Sequence, residues 1–128
     1  MKHLSQHLII VSTSLSNLTE EENKKRNDEL TRYLNLMSIP HEELTGRFGG
    51  VNELCVMMDG QHSRVAEIVL RDYDQESYLE HHSDRTCELV FANGHRKKIG
   101  VMHEVTEVEA LKKLAWTKTK DGRYFVAE

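Results

Sequence analysis

HLIIVSTSL, residues 7–15, is the first stretch of the chain with a clear structural reading. Its run of β-branched and aliphatic side chains, unbroken by the polar residues of a half-wet strand, predicts a buried central strand. The polar pair Ser16-Asn17 follows, and then Thr19-Glu20-Glu21-Glu22 forms a T-x-x-E capping box. In such a box the Thr19 hydroxyl accepts from the third helical amide while Glu22 reaches back to the cap. Leu30, Tyr33, Leu34 and Met37 recur at i, i+3, i+4 and i+7, so a helix runs to about Met37. Its first half, residues 20–29, carries almost nothing apolar, and Pro40 ends the helical region.

Shorter elements follow. A second strand is expected at residues 41–44. Gly46, Gly49 and Gly50 then make residues 45–52 a flexible segment with exposed backbone. Residues 53–58, ELCVMM, form a third strand, turned by Asp59-Gly60, and Val65, Ala66, Val69 and Tyr73 share one face of a second helix over residues 62–73. Strands are expected at 77–81, at 87–92 with an Asn93-Gly94 turn, and at 99–103. Thr106-x-x-Glu109 caps a short helix to about Leu114, and residues 116–126 form a terminal hairpin turned by Asp121-Gly122. The order βαββα followed by strands predicts an α+β chain of the ferredoxin-like (PII-like) kind. That means an antiparallel sheet with two helices on one face and extra C-terminal strands, in one domain spanning 1–128.

Composition narrows the function classes. A chain of 128 residues has length for one core, and with 38% hydrophobic and 30% charged residues it gains from burying surface in an oligomer. A net charge of −4 and a pI of about 6.1 speak against nucleic acid, and 6% aromatic content speaks against an RNA-binding sheet. No segment approaches the roughly 20 apolar residues of a membrane span, and residues 1–8 lack the apolar region of a signal peptide. The expectation is a cytoplasmic protein. Cys55 and Cys87 lie within apolar strand-like runs, have no metal-ligand spacing, and read as reduced core residues.

The chemistry-bearing residues are few. His81-His82 with Asp84 invites a metal, but adjacent residues on a strand point to opposite faces, and neither H-E-x-x-H nor C-x-x-C occurs. No metal and no cofactor are expected. Ser12, Ser14 and Ser16 lack G-x-S-x-G flanks, and the glycines at 46–50 lack the Lys-Ser/Thr pair of a Walker loop. There remain carboxylates at element edges, where ligands usually bind: Glu53, after the glycine-rich segment, and Glu76, between the second helix and the next strand. By residue type alone each reads as an ordinary solvated acid.

Four collinear stretches give these acids a context. Within residues 9–34 they are Val11-Ser12, Ser16-Asn17-Leu18, Glu21, Asn23, Arg26 and Leu34. Leu44-Thr45-Gly46, the Asp74-Gln75-Glu76 corner and the 116–126 hairpin with Asp121-Gly122-Arg123 complete the set. In these residues the chain resembles the phage S-adenosylmethionine lyases, long called S-adenosylmethionine hydrolases. Each motif is weak alone; their order over most of the chain is specific.

The resemblance implies an enzyme that breaks S-adenosylmethionine into 5′-methylthioadenosine and L-homoserine lactone, by attack of the substrate's own carboxylate rather than of water. Its implied purpose is phage counter-defence in the host cytoplasm. Glu53 matches the glutamate beside the sulfonium, although the gap from Phe48 is shorter here. Phe48 stands where the family carries tyrosine, so the hydroxyl is missing here and its role either lapses or passes to another tyrosine such as Tyr33. Glu76 matches an acid that grips the ribose hydroxyls. Ser12, Thr13, Ser14 and Asn17, with the backbone at Gly49 and Gly50, supply the rest of the substrate pocket. A homotrimer with sites shared between subunits is also implied. Two other classes stay open: a PII-like module binding a nucleotide and a partner protein, and a non-catalytic phage inhibitor acting through the acidic helix at 20–29.

Overall fold

Eight strands close on themselves in the computed structural model, which describes residues 4–128, so the first three residues of the 1–8 stretch lie outside it. Along the chain the elements are β1 (Leu8–Ser12), α1 (Glu20–Leu36), β2 (His41–Phe48), β3 (Val51–Asp59), a 3-10 turn (Gly60–His62) and α2 (Ser63–Asp72). There follow β4 (Ser77–His81), β5 (Thr86–Phe91), β6 (Arg96–Val105), α3 (Glu107–Leu111), β7 (Trp116–Lys118) and β8 (Tyr124–Ala127). Around the barrel the order is β1-β3-β2-β7-β8-β6-β5-β4, with β4 returning to β1, and every pairing is antiparallel.

The expected open ferredoxin-like (PII-like) sheet is therefore overturned. β5 and β6 extend the sheet from β4, β7 and β8 extend it from β2, and β6 pairs with β8 from Met102↔Ala127 to Val105↔Tyr124. Closure leaves no free edge and creates a second core inside the sheet. Leu8, Ile10, Leu44, Cys55, Met57, Leu79, Cys87, Met102 and Phe125 fill the barrel. Ile9, Val11, Val56 and Met58 face outward and pack against Leu30 and Leu34 of α1 and Val65, Ala66 and Val69 of α2. β1 is apolar from Leu8 to Val11 because both of its faces meet a core.

Local chemistry sets the elements. Thr19 caps α1 with both bonds of the box: the Glu22 amide donates to its hydroxyl at 3.1 Å and its own amide donates to Glu22 Oε1 at 3.0 Å. The segment 45–52 is not a flexible loop. β2 runs to Phe48, β3 starts at Val51, and Gly49-Gly50 alone make the turn, with φ of 59° and 83°. Two positive φ values in sequence are those of a type I′ hairpin turn, whose twist matches the strands. Gly46 is a strand residue opposite Glu53. A Cβ there would stand 2.6 Å from Phe48 Cε2, so this glycine makes room for the Phe48 ring.

The third helix stops at Leu111 rather than near Leu114. Cys55 and Cys87 are free and buried, and burial pushes the Cys87 thiol up to about 12 and the Cys55 thiol higher still. Residues 55–58 of the ELCVMM run are buried within the chain itself. Among the described residues no helix is long and apolar enough to cross a membrane.

Candidate active site

At the end of the barrel where β1 finishes, a cleft of about 370 Å³ opens between β1, the β2–β3 hairpin and the corner leading into β4. It gathers five of the residues singled out in the sequence: Ser12, Ser14, Phe48, Glu53 and Glu76. Four others do not reach it in the expected way. Thr13 is fully buried outside the cleft, and Asn17 and Gly50 are absent from its lining. Gly49 lines a separate hollow of about 220 Å³, with Phe48 forming part of both walls. Tyr33, on α1, lies outside the cleft and is 38% exposed; Tyr78 is the tyrosine that contributes to the lining. Nothing in the described geometry hands Tyr33 the role of the hydroxyl that Phe48 lacks.

Glu53 sits where the strand alternation turns from apolar to polar. On the inward face of β3 it follows Met57 and Cys55, so its carboxyl lies at the mouth of the barrel and is half-buried. Burial raises its pKa above the ordinary carboxylate range, and the neighbouring Ser12 hydroxyl pulls the other way. That pull is limited because the Ser12 proton is committed to the Leu54 carbonyl at 2.9 Å. Ser14 accepts from the Leu54 amide at 3.2 Å, which leaves its own proton free for a ligand. Together the two serines extend the β1–β3 ladder by side chain and fix the backbone beside Glu53.

The loop after β1 is held from three sides by residues whose role the sequence did not disclose. Asn23 clamps Leu15, accepting from its amide at 2.9 Å and donating to its carbonyl at 3.0 Å. Arg26 donates to the Thr13 and Tyr73 carbonyls, each at 2.6 Å, with its guanidinium 5.0 Å from the centre of the Tyr73 ring. Gln75 Nε2 donates to the Ser14 carbonyl at 2.9 Å. Asn23, Arg26 and Gln75 all belong to the quoted motifs, so the motifs marked them while residue type gave no hint of their task. Asp74, at φ 54°, turns the chain out of α2 and adds a carboxylate to the lining.

The charged groups of the cleft are thus Glu53, Asp74 and Glu76; among the described residues its lining holds no lysine or arginine. The carboxyl end of the α2 dipole points to the same corner, again favouring positive charge. A concave site with apolar walls, hydroxyls and three acids suits a small ligand that carries positive charge. The family model described as the S-Adenosylmethionine lyase family matches residues 9–128, and the chain belongs to that family. It is an enzyme, a lyase whose small-molecule substrate is S-adenosylmethionine. Comparison with the curated proteins finds no match. The regulatory-module and inhibitor readings give way to the enzyme.

Proposed function

We propose that the chain breaks the bond between the γ-carbon and sulfur of S-adenosylmethionine by intramolecular attack. One oxygen of the substrate's carboxylate bonds to the γ-carbon, and the electron pair of the breaking bond goes to sulfur. The products are L-homoserine lactone and 5′-methylthioadenosine, and neither water nor a proton is consumed. The observation that carries this reading is the charge of the cleft. Its acids match a sulfonium, and a lining without a cationic side chain leaves the substrate's carboxylate free to fold back on its own chain.

Carboxylate and sulfonium neutralise each other along this path, so a site that removes water favours the transition state over the separated ions. For the same reason attraction to Glu53 cannot itself accelerate the step, since the positive charge on sulfur is being lost. Its task is orientation. Holding the sulfonium so that the γ-carbon faces the carboxylate draws on the roughly 7–11 kcal/mol that alignment can supply at its limit. Phe48 packs beside it as an apolar wall, and Glu76 and the free Ser14 hydroxyl suit the ribose and its neighbourhood.

Water labelled with oxygen-18 separates this path from hydrolysis. In the lactone route the γ-oxygen of homoserine, formed as the lactone opens, carries no label, and label enters only the carboxyl group. Label on the γ-oxygen would show that water attacked carbon and would overturn the proposal.

The same reading includes a homotrimer and depletion of S-adenosylmethionine in a phage-infected host, both supported by the family resemblance. Exposed Val108, Leu111 and Leu114 offer apolar surface for assembly through side chains, since a closed barrel has no edge strand to lend. Light scattering should report about three times 14.9 kDa, and a fully active monomer excludes the trimer.

A further inference from the structure

At the opposite end of β1 from the cleft, on the outer face of the barrel, two imidazoles and a buried carboxylate converge. His7 precedes β1, Glu80 is the fourth residue of β4, and His82 follows that strand. Pairing of Leu8 with His81 brings the three together. His7 Nε2 is 2.8 Å from Glu80 Oε2, and His82 Nε2 is 3.7 Å from Glu80 Oε1. All three ligand atoms lie within 4.8 Å of one another. Four ligands held tetrahedrally at about 2.0–2.1 Å from a zinc ion stand roughly 3.4 Å apart, so the existing spacing needs only small side-chain adjustments.

From this geometry we propose that His7, Glu80 and His82 form a binding site for a divalent transition metal of the zinc type. Both histidines offer Nε2, and a mixture of imidazole nitrogen and carboxylate oxygen is a donor set that zinc accepts. Their positions are built in. The His7 ring lies directly over Gly60, where any side chain would collide with it, and the Gly60 amide donates to the His7 carbonyl at 2.9 Å. On its other side the ring stacks on His82, with centroids 5.7 Å apart and planes 9° from parallel. Glu80 is only 6% exposed. Glu88 Oε1 stands 2.7 Å from the same His82 Nε2, which places it as a fourth donor.

His81 takes no part. It is fully buried, and its Nδ1 pairs with the Gln6 carbonyl at 2.9 Å. His81 thus points into the buried interior while His82 meets His7 and Glu80 on the outer face. The rival cation is Arg96, which pairs with Glu80 and lies 3.4 Å from Glu88. Its side chain is 47% exposed, so it can turn outward when a metal arrives. A metal here would tie β1 to β4 and stiffen one flank of the barrel. About 17 Å of strand separate it from Ser12, given a rise near 3.3 Å per residue, so it takes no part in turnover.

The test is titration of the untagged, full-length protein with zinc, followed by calorimetry, and with cobalt, followed by the visible absorption of a tetrahedral ion. One metal per chain is expected, with a melting temperature that rises as zinc is added. His7→Asn and His82→Asn should each weaken binding by about tenfold or more and abolish the thermal shift, while keeping wild-type turnover as proof of folding. Arg96→Gln should tighten binding. The proposal is overturned if neither metal binds saturably, or if binding persists unchanged in both histidine variants, as it would at another surface pair such as His103–Glu128.

Discussion

Arg26 carries more of the cleft's architecture than its residue type suggests. Its fork spans two carbonyls from different elements, Thr13 after β1 and Tyr73 after α2, and its flat face rests on the Tyr73 ring. Lysine keeps the charge but cannot reach both acceptors or stack in the same way. Arg26→Lys should therefore cost about 1.5–3 kcal/mol in denaturant unfolding, the range for hydrogen bonds to a charged group. It should raise KM more than it lowers kcat, because the loop it anchors shapes the pocket without touching the reacting atoms. Unchanged stability together with unchanged KM would refute this role. The sequence showed Arg26 as part of a motif and nothing more, since its acceptors are backbone carbonyls that leave no trace in side-chain pattern. Gly46 was misread for a related reason: its missing Cβ serves the Phe48 ring, two residues away, rather than chain flexibility.

At the scale of elements, what periodicity and capping encode was legible, and what register encodes was not. The β1 stretch reads as buried because its residues are apolar on both faces, and the Thr19 box marks the start of α1 to the residue. Residues 45–52 read as a flexible segment because they combine polar residues with three glycines, a pattern shared by flexible segments and type I′ turns. The helix cap also bears on function, since Asn23 lies in the first turns of α1 and clamps Leu15. Thr19→Ala should lower stability by about 1 kcal/mol through the lost cap. Fraying of that turn should also weaken substrate binding, visible as a higher KM with kcat close to wild type. A loss of stability with KM unaltered would mean that the clamp survives without the cap.

For the whole molecule, the closure of the barrel was the feature hidden from the sequence. Its seam joins β6 to β8, and it depends on Gly100, whose φ is 121° and whose missing side chain lets the Glu128 backbone pass. The Val101 and Glu128 backbones exchange both hydrogen bonds there, at 3.0 and 3.1 Å. A glycine inside a strand is a sign of close backbone approach, but it does not say which strand approaches. Gly100→Ala is strained in φ and collides with backbone, so it should destabilise the fold by about 1–3 kcal/mol or more in denaturant unfolding. A neutral effect would show that the seam is not held there.

Under the proposed mechanism Glu53 is the residue whose burial serves function at the expense of stability. Because burial raises its folded pKa, its contribution to stability is fully present below the unfolded pKa and is lost as pH rises through the folded one. The ionised form needed for a sulfonium is thus the less stable one, and Glu53→Gln should not lower the melting temperature at neutral pH. The decisive measurement is steady-state kcat/KM of Glu53→Gln at neutral pH beside its melting curve. With Glu53 orienting the sulfonium, kcat/KM falls by about two orders of magnitude or more while the melting temperature is undiminished. Wild-type kcat/KM in a folded Glu53→Gln enzyme would contradict the assignment of this cleft's chemistry to Glu53.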